Sequence, residues 1–260
     1  MRFSIVMPVM NRLETTVAGL ELLLRHTVDD YELVVVDNAS TDGTPEYLER
    51  EIRPCVPVLH LIRNQNNAGV VAALRQGCAT ANGEVVACLH NDVRILEPGW
   101  NRRISDLFAQ IPRLGMAGLH GSRGTPDGWR RMEPYSNLVN AELHGSRLQR
   151  EYLPVAILDG FCLIMSREML ERTGGFDPRF NYYAYDCDLS LGSLAAGYRN
   201  IVVNVACAHL DGETSRALGT RDTLAEREKS LAYLLGKWRR FVPVYVEDDF
   251  KLRWARIDGR

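Results

Sequence analysis

The chain has 260 residues, of which 46% are hydrophobic and 25% are charged, and its formal net charge is -2 at pH 7. These values are ordinary for a soluble globular protein, and the charge gives no general attraction to nucleic acid, so we expect no nucleic-acid partner. Six cysteines without a Cys-x-x-Cys pair predict reduced thiols, and no apolar run approaches the roughly 20 residues of a membrane-spanning helix. We therefore expect a cytoplasmic protein.

Four apolar runs near the start of the chain predict strands, at residues 3–9, 33–36, 58–62 and 85–89. Helical patterns lie between them. Asn11 is in capping position for the first helix, whose expected inner face consists of Leu13, Val17, Leu20 and Leu24. Repeated strand–helix units predict a parallel sheet that is covered by helices. The fourth run is apolar throughout, as in a central strand that is buried on both faces.

A carboxylate follows two of these predicted strands, Asp37 after the second and Asp92 after the fourth. Open α/β sheets bind ligands outside the carboxyl ends of their strands, and an ionised carboxylate accepts hydrogen bonds from a base or a ribose. Either residue could instead simply cap a turn. Residues 8–12 contain no glycine, which argues against a dinucleotide-binding fingerprint, a phosphate-binding P-loop and a sugar nucleotidyltransferase.

Three segments of this half, residues 4–12, 35–44 and 67–69, resemble the family 2 glycosyltransferases with the GT-A fold. The resemblance implies an α/β fold of the GT-A type, with a Rossmann-like mixed, mainly parallel sheet that is flanked by helices. It also implies a nucleotide-binding pocket that consists of Pro8, Val9, Asn11, Asp37, Asn67 and Asn91.

Residues 90–92 fall where that family keeps an Asp-x-Asp metal motif, but His90-Asn91-Asp92 retains only the last carboxylate. The resemblance implies that Asp92 holds a divalent cation, Mn²⁺ or Mg²⁺, on the diphosphate of the donor. Because the motif has lost one carboxylate, we expect weaker or more selective metal binding.

The second half is less regular. Its patterns predict helices at residues 100–108, 166–170 and 224–241, and strands at 114–119, 155–165 and 201–208. Asp159-Gly160 interrupts the 155–165 run. Residues 121–150 carry glycine, proline and charge without periodicity, which predicts a long loop that faces an acceptor. The last helix is expected to bury Leu231, Leu234, Leu235 and Trp238.

A Gly-Gly-Phe-Asp turn at residues 174–177 precedes Tyr185-Asp186-Cys187-Asp188. By spacing alone, these two acids could be residues that the dipole of a helix start favours. In family 2 the corresponding helix opens with Glu-Asp, and the second acid resembles the base that deprotonates the acceptor hydroxyl. The resemblance implies that this base is Asp186, with Tyr185 in place of the usual glutamate.

His209 follows the apolar run 201–208. A lone histidine at the end of a strand is more often structural than a ligand. The resemblance implies instead that His209 completes the metal site with Asp92. An imidazole beside carboxylate and phosphate oxygens would shift the metal preference from Mg²⁺ toward Mn²⁺.

The C-terminal tail is basic, with six basic residues against three acidic ones between residues 237 and 256. A solvated face is the simpler interpretation, and peripheral contact with the inner face of a membrane, near a lipid-linked acceptor, is the alternative. The Gln-x-x-Arg-Trp motif of processive polysaccharide synthases is absent. This absence favours the transfer of one sugar at a time.

The sequence therefore predicts an inverting, metal-dependent glycosyltransferase of bacterial polysaccharide biosynthesis. Its donor would be a UDP-, dTDP- or GDP-sugar, and its acceptor a saccharide or a lipid-linked saccharide. Residues 1–110 are expected to bind the nucleotide sugar, 111–219 to bind the acceptor and supply the base, and 220–260 to form a C-terminal helix and tail. A sugar nucleotidyltransferase and a non-catalytic nucleotide-sugar-binding module remain the alternatives.

Overall fold

A computed structural model describes residues 2–124, 134–136, 146–210, 220–239 and 242–255. The strands of the first half are β1 (Phe3–Val9), β2 (Tyr31–Asp37), β3 (Leu59–Arg63), β4 (Val85–Leu89) and β5 (Val93–Ile95). Its helices are α1 (Leu13–His26), α2 (Thr44–Tyr47), α3 (Val70–Thr80) and α4 (Trp100–Gln110). Helix α2 continues into a π-helical turn, Leu48–Ile52, and a 3₁₀ turn, Arg53–Cys55.

The second half contributes shorter strands. They are β6 (Leu114–Gly118), β7 (His120–Ser122), β8 (Pro134–Ser136), β9 (Ser146–Arg147), β10 (Tyr152–Pro154), β11 (Ile157–Leu158), β12 (Cys162–Ser166), β13 (Arg199–Val203), β14 (Cys207–His209), β15 (Val242–Val246) and β16 (Leu252–Ala255). The helices are α5 (Arg167–Thr173), α6 (Tyr185–Ala195) and α7 (Thr220–Trp238). Most of the predicted loop 121–150, and Phe241 at the end of the predicted last helix, lie outside the described residues.

The central sheet has eight strands in the order β10-β13-β6-β12-β4-β1-β2-β3. Strands β3, β2, β1 and β4 are parallel, and β13 is parallel to β6. Strand β12 is antiparallel to both of its neighbours, and β10 is antiparallel to β13. The predicted α/β architecture with a mixed, mainly parallel sheet is therefore confirmed. The proposed division at residues 110 and 219 stays a prediction.

Apolar side chains cover both faces of this sheet. Phe3, Ile5 and Met7 of β1 pack with Trp100 in the core under α1 and α4, whereas Val6 belongs to the second core, on the side of α3, α5 and α6. Successive side chains of a strand point to opposite faces, so a strand between two cores must be apolar at every position. All five residues of β4 are buried, as predicted for the central strand.

A buried carboxylate joins the strands at the amino edge of the sheet. The side chain of Glu32 on β2 is fully buried. It accepts hydrogen bonds from the Ser4 hydroxyl at 2.5 Å, from the Asn82 N–H at 2.5 Å and from the Gly83 N–H at 3.1 Å. Burial by itself raises the pKa of Glu32, but these bonds outweigh burial and lower the pKa to about 2. The carboxylate thus fastens β1, β2 and the start of β4 together.

Two predicted strands are each divided between two sheets. The run 155–165 splits at Asp159-Gly160 into β11, which pairs with β7, and β12, which lies in the central sheet. The run 201–208 splits into β13 of the central sheet and β14, which pairs with β5 in a separate two-stranded ribbon. As a result, Asp159 and His209 lie beside the sheet, near the carboxyl ends of its parallel strands.

Two helix details differ from the prediction. Asn11 does not cap α1, because the N–H of Leu13 donates at 2.9 Å to the Asp42 carboxylate, which comes from a different loop. The buried face of α1 consists of Thr16, Gly19, Leu20 and Leu23, one step away from the expected face.

In α7, Leu234 is buried but Leu235 is 48% exposed. Within the described residues, none of the helices is both long and apolar enough to span a membrane.

Candidate active site

The ribbon of β5 and β14 brings Asp92 and His209 together. In the antiparallel register His209 lies opposite Val93, and the Leu210 N–H donates to the Asp92 carbonyl at 3.3 Å. As a result the His209 Nε2 atom lies 3.3 Å from Asp92 Oδ1. The Phe161 ring stacks on the His209 ring with 4.5 Å between their centroids. Backbone pairing and packing together hold the imidazole against the carboxylate.

His90 is the third member of this cluster. One possible ligand atom from each of His90, Asp92 and His209 lies within 4.8 Å of the other two. Sequence reasoning did not identify His90. The available signal was its position, since it occupies the first place of the three-residue motif after β4, and an imidazole there can ligate a metal as a carboxylate can.

The protonation states of the cluster suit a cation. Burial by itself raises the pKa of Asp92, but the neighbouring His209 more than offsets burial, and the pKa lies below its ordinary value. Burial lowers the pKa of His90, which favours the neutral ring. Metals bind carboxylates and neutral imidazoles. Asp92 Oδ1 is buried among the described residues, and His209 Nε2 lies 3.3 Å from it. These three side chains therefore fit Mn²⁺ or Mg²⁺.

Asp186, the predicted base, lies in the first turn of α6 and lines a cavity of about 510 Å³. His120, Asp159, Leu158, Arg227 and Leu231 also line this cavity. The Asp186 carboxylate accepts hydrogen bonds from the Gly160 N–H at 3.0 Å and from the Cys187 N–H at 2.8 Å. Burial and the charge of Asp159 raise the pKa of Asp186 to about 6. A carboxylate with this pKa is ionised at neutral pH and still accepts a proton readily.

Asp159 remains ionised beside it. Desolvation by itself raises the pKa of Asp159. The neighbouring His120, whose Nδ1 lies 3.3 Å from Asp159 Oδ2, outweighs desolvation and lowers the pKa to about 2. The Asp159 side chain is 45% exposed, so solvent screens part of its charge. Sites of acid–base catalysis often contain two neighbouring carboxylates with very different pKa values, as Asp159 and Asp186 have here.

The turn at residues 159–161 contacts both the cluster of His90, Asp92 and His209 and the predicted base, Asp186. Gly160 donates its N–H to Asp186, and Phe161 stacks on His209. The Phe161 carbonyl also accepts from the His90 N–H at 2.9 Å. This turn is the division between β11 and β12, so the interruption of the apolar run is what joins the two parts of the site.

Asp188 has different partners from Asp186. Its Oδ1 lies 2.7 Å from the Lys237 ammonium and accepts from the Trp238 indole N–H at 2.7 Å. Lys237 also donates to Asp177, in the Gly-Gly-Phe-Asp turn, at 2.8 Å. These bonds fasten α7 to the start of α6. Asp188 therefore anchors a helix, and only Asp186 of the two acids lines the cavity.

The predicted nucleotide-binding residues of the first two strands lie at one edge of the sheet. Pro8 and Val9 are paired with Val36 and Asp37 at the ends of β1 and β2. Asp37 is buried, and its Oδ1 accepts from the Ser40 N–H at 3.0 Å. Asn11 Oδ1 accepts from the Thr41 N–H at 2.8 Å. These bonds hold the two loops side by side.

The backbone at this edge is strained. Asn11, Arg12 and Ala39 have φ angles of 54°, 62° and 64°. Non-glycine residues rarely adopt this left-handed region, and those that do often lie at ligand sites. This strain, which the sequence did not indicate, is consistent with the prediction of a ligand site at this edge.

The side chains of Asn67 and Asn91 form hydrogen bonds within the protein. Asn67 Oδ1 accepts from the Gly69 N–H at 2.9 Å, and its Nδ2 donates to the Tyr182 hydroxyl at 3.3 Å. The Asn91 side chain donates to the Thr16 hydroxyl on α1 at 2.9 Å. Asn91 therefore fixes the loop after β4 to α1, and its role toward a nucleotide stays a prediction.

Comparison with known proteins identifies the family. The model of "Glycosyl transferase family 2" matches residues 4–174 of this chain. The chain belongs to glycosyl transferase family 2. The matched region of this family 2 chain includes Asp37 and Asp92 but ends before Asp186 and His209.

Relatives of this family 2 chain agree with the assignment. It is 26% identical over 222 residues to N-acetylglucosaminyl-diphospho-decaprenol L-rhamnosyltransferase of Mycobacterium tuberculosis, covering 74% of this chain and 69% of that protein. It is 25% identical over 253 residues to O-antigen biosynthesis protein RfbC of Myxococcus xanthus, covering 89% of this chain and 19% of RfbC. The chain spans about a quarter or less of the length of two of the curated relatives it matches.

A solved structure shows the same fold. The mannosyltransferase PcManGT of Pyrobaculum calidifontis, in complex with GDP-Man and Mn²⁺, superposes with a TM-score of 0.63 at 22% identity. The match covers 93% of this chain and 65% of that one. The predicted GT-A fold is thereby confirmed.

Proposed function

We propose that this chain transfers one sugar from a nucleoside-diphosphate sugar to a hydroxyl group of a saccharide or a lipid-linked saccharide, with inversion at the anomeric carbon. The observation that carries the proposal is the arrangement around the 159–161 turn, where Asp186 faces a cavity on one side and His90, Asp92 and His209 form a cluster on the other. A donor and an acceptor could meet between them.

Asp186 would act as the general base. Its carboxylate takes the proton of the acceptor hydroxyl while the acceptor oxygen attacks the anomeric carbon from the face opposite the leaving diphosphate. The new bond joins the acceptor oxygen to that carbon, and the bond from the carbon to the diphosphate oxygen breaks. One displacement inverts the carbon. The transition state resembles an oxocarbenium ion, as in glycoside hydrolysis.

His90, Asp92 and His209 would hold a divalent cation, Mn²⁺ or Mg²⁺, with two imidazoles favouring Mn²⁺. When bound, the cation supplies positive charge that stabilises the departing nucleoside diphosphate. At the neighbouring edge, Asp37 would accept hydrogen bonds from the base or ribose, and Pro8 and Val9 would line its pocket. The GDP-Man and Mn²⁺ bound to PcManGT support this assignment.

The acceptor would occupy the cavity beside Asp186. Its lining combines apolar side chains such as Leu158 and Leu231 with the charges of Asp159 and Arg227. A saccharide has both an apolar ring face and hydroxyl groups, and this lining can contact both. The name of the rhamnosyltransferase relative includes a diphospho-decaprenol acceptor, which supports a lipid-linked saccharide as one acceptor class.

A thermal-shift screen tests the donor class. UDP, dTDP and GDP, and sugars linked to each, are added to the protein with Mn²⁺ or with EDTA. A ligand that binds only the folded state at 100 times its Kd stabilises that state by about 2.7 kcal/mol. We expect one nucleotide series to raise Tm in Mn²⁺ and much less in EDTA. If none of the nucleotides raises Tm in either condition, the proposed function is wrong.

A further inference from the structure

Tyr185 connects the cluster of His90, Asp92 and His209 to the 159–161 turn, which binds Asp186. The side chain is 4% exposed at the start of α6. Its hydroxyl donates to the Gly160 carbonyl at 3.3 Å and lies 3.1 Å from His90 Nε2. A Cβ atom added to Gly160 would collide with the Tyr185 hydroxyl. The glycine therefore allows the phenol to lie against the backbone while it touches the imidazole.

The two contacts define the proton positions. A phenol has one proton, and a carbonyl oxygen can only accept. Both contacts are hydrogen bonds only if the phenol donates to Gly160 and accepts from an N–H at His90 Nε2. The neutral imidazole then carries its proton on Nε2 and its lone pair on Nδ1. A hydrogen bond to one ring nitrogen selects the other as the metal ligand.

We propose that Tyr185 is a positioning residue for the metal site, which holds His90 in the tautomer and orientation that present Nδ1 to the divalent cation. This inference rests on the proposed metal-dependent function. Tyr185 touches neither the donor nor the reacting atoms in this account, and it acts only through His90. Residues that bind a metal-ligating histidine in this way typically contribute 10- to 100-fold to metal affinity.

The primary test measures Mn²⁺ affinity of the apoprotein from the electron paramagnetic resonance signal of free Mn²⁺. Y185F removes only the hydroxyl and should weaken Mn²⁺ binding about 10- to 100-fold. Tyr198 supplies the matched control, because it is also 4% exposed and its hydroxyl donates to Glu168 at 2.7 Å, away from the cluster. Y198F should bind Mn²⁺ like the wild type. Circular dichroism and Tm verify that both variants fold.

A double-mutant cycle separates positioning from general structural damage. If Tyr185 acts through His90, adding Y185F to H90A should lower Mn²⁺ affinity no further than H90A alone. Losses that add in the double variant would overturn the proposal. So would a folded Y185F that binds Mn²⁺ as tightly as the wild type.

The ligand atom has its own test. The amide oxygen of asparagine can take the place of Nδ1, and that of glutamine the place of Nε2, so H90N should retain more Mn²⁺ affinity than H90Q. The reverse order would overturn the Nδ1 assignment. If the wild type binds no Mn²⁺ at all, the metal dependence in the proposed function fails, and that result is distinct from a wild type that binds Mn²⁺ while Y185F is normal.

Discussion

Replacing Asp186 with asparagine should slow sugar transfer and, at neutral pH, stabilise the fold. Burial and the Asp159 charge raise the pKa of Asp186 from 3.8 to about 6, so at pH 8 the wild type carries a charge that its surroundings disfavour. Asparagine has nearly the same shape. It carries no charge and cannot accept the proton of the acceptor.

The magnitude follows from the pKa shift. A shift of about two units corresponds to about 3 kcal/mol. Because the folded-state pKa is raised, the stabilising contribution of Asp186 is complete below the unfolded pKa near 3.8 and is lost as the pH rises through about 6. The asparagine NH₂ group faces one of the two N–H donors, which removes about 1 kcal/mol. We therefore expect D186N to be about 2 kcal/mol more stable than the wild type at pH 8 and slightly less stable at pH 4.

The assay combines urea unfolding at these two pH values with the initial rate of transfer or donor hydrolysis. The rate should fall about 10²- to 10⁴-fold while donor affinity changes little. Asp188→Asn is the matched control, since Asp188 is bound to Lys237 and Trp238, and it should lower the rate less. A near-normal rate for D186N, or a stability difference that is equal at pH 4 and pH 8, would refute the reasoning.

Three further predictions concern binding and stability. Asp92→Ala should abolish the Mn²⁺-dependent part of nucleoside-diphosphate binding in calorimetry, and a wild type with the same affinity in Mn²⁺ and EDTA would contradict the metal role. Asp37→Ala should weaken free nucleotide and nucleotide sugar alike, whereas a loss confined to the nucleotide sugar would assign Asp37 to the sugar site. Glu32→Gln should lower the free energy of unfolding at pH 7 by up to about 3 kcal/mol, because the pKa of Glu32 is lowered from 4.5 to about 2. That contribution is present above pH 4.5 and is lost as the pH falls through 2. A difference in unfolding free energy between the wild type and Glu32→Gln that is the same at pH 7 and near pH 2 would contradict it.

Local patterns predicted most of the fold, because each central strand is a continuous apolar run and each amphipathic helix carries a helical period. The five buried residues of β4 are an example. The errors lie where distant residues decide the outcome. Asp42 rather than Asn11 accepts from the first N–H of α1, that of Leu13, and only the folded contact between two loops reveals this. Leu235 fits the helical pattern of α7 but is 48% exposed, whereas Lys237 and Trp238 contact α6 through Asp188.

The candidate site was predictable only in part. Motif position indicated Asp92, and the helix start indicated Asp186, but the three-residue cluster exists only once β14 pairs with β5 and brings His209 to His90 and Asp92. The roles of Gly160 and Tyr185 likewise depend on where the interrupted strand turns. The sequence marks Gly160 as part of an interrupted apolar run and Tyr185 as a replacement of the family's usual glutamate, but neither signal indicates a contact with His90.

The most direct test of the central claim follows the anomeric proton by ¹H NMR while the enzyme turns over its donor in Mg²⁺, with water or a saccharide as acceptor. We expect the first product to have the configuration opposite to that of the donor, together with free nucleoside diphosphate, and EDTA to stop the reaction. A first product with retained configuration, undiminished turnover in EDTA, or release of pyrophosphate from a nucleoside triphosphate in place of sugar transfer would contradict the account.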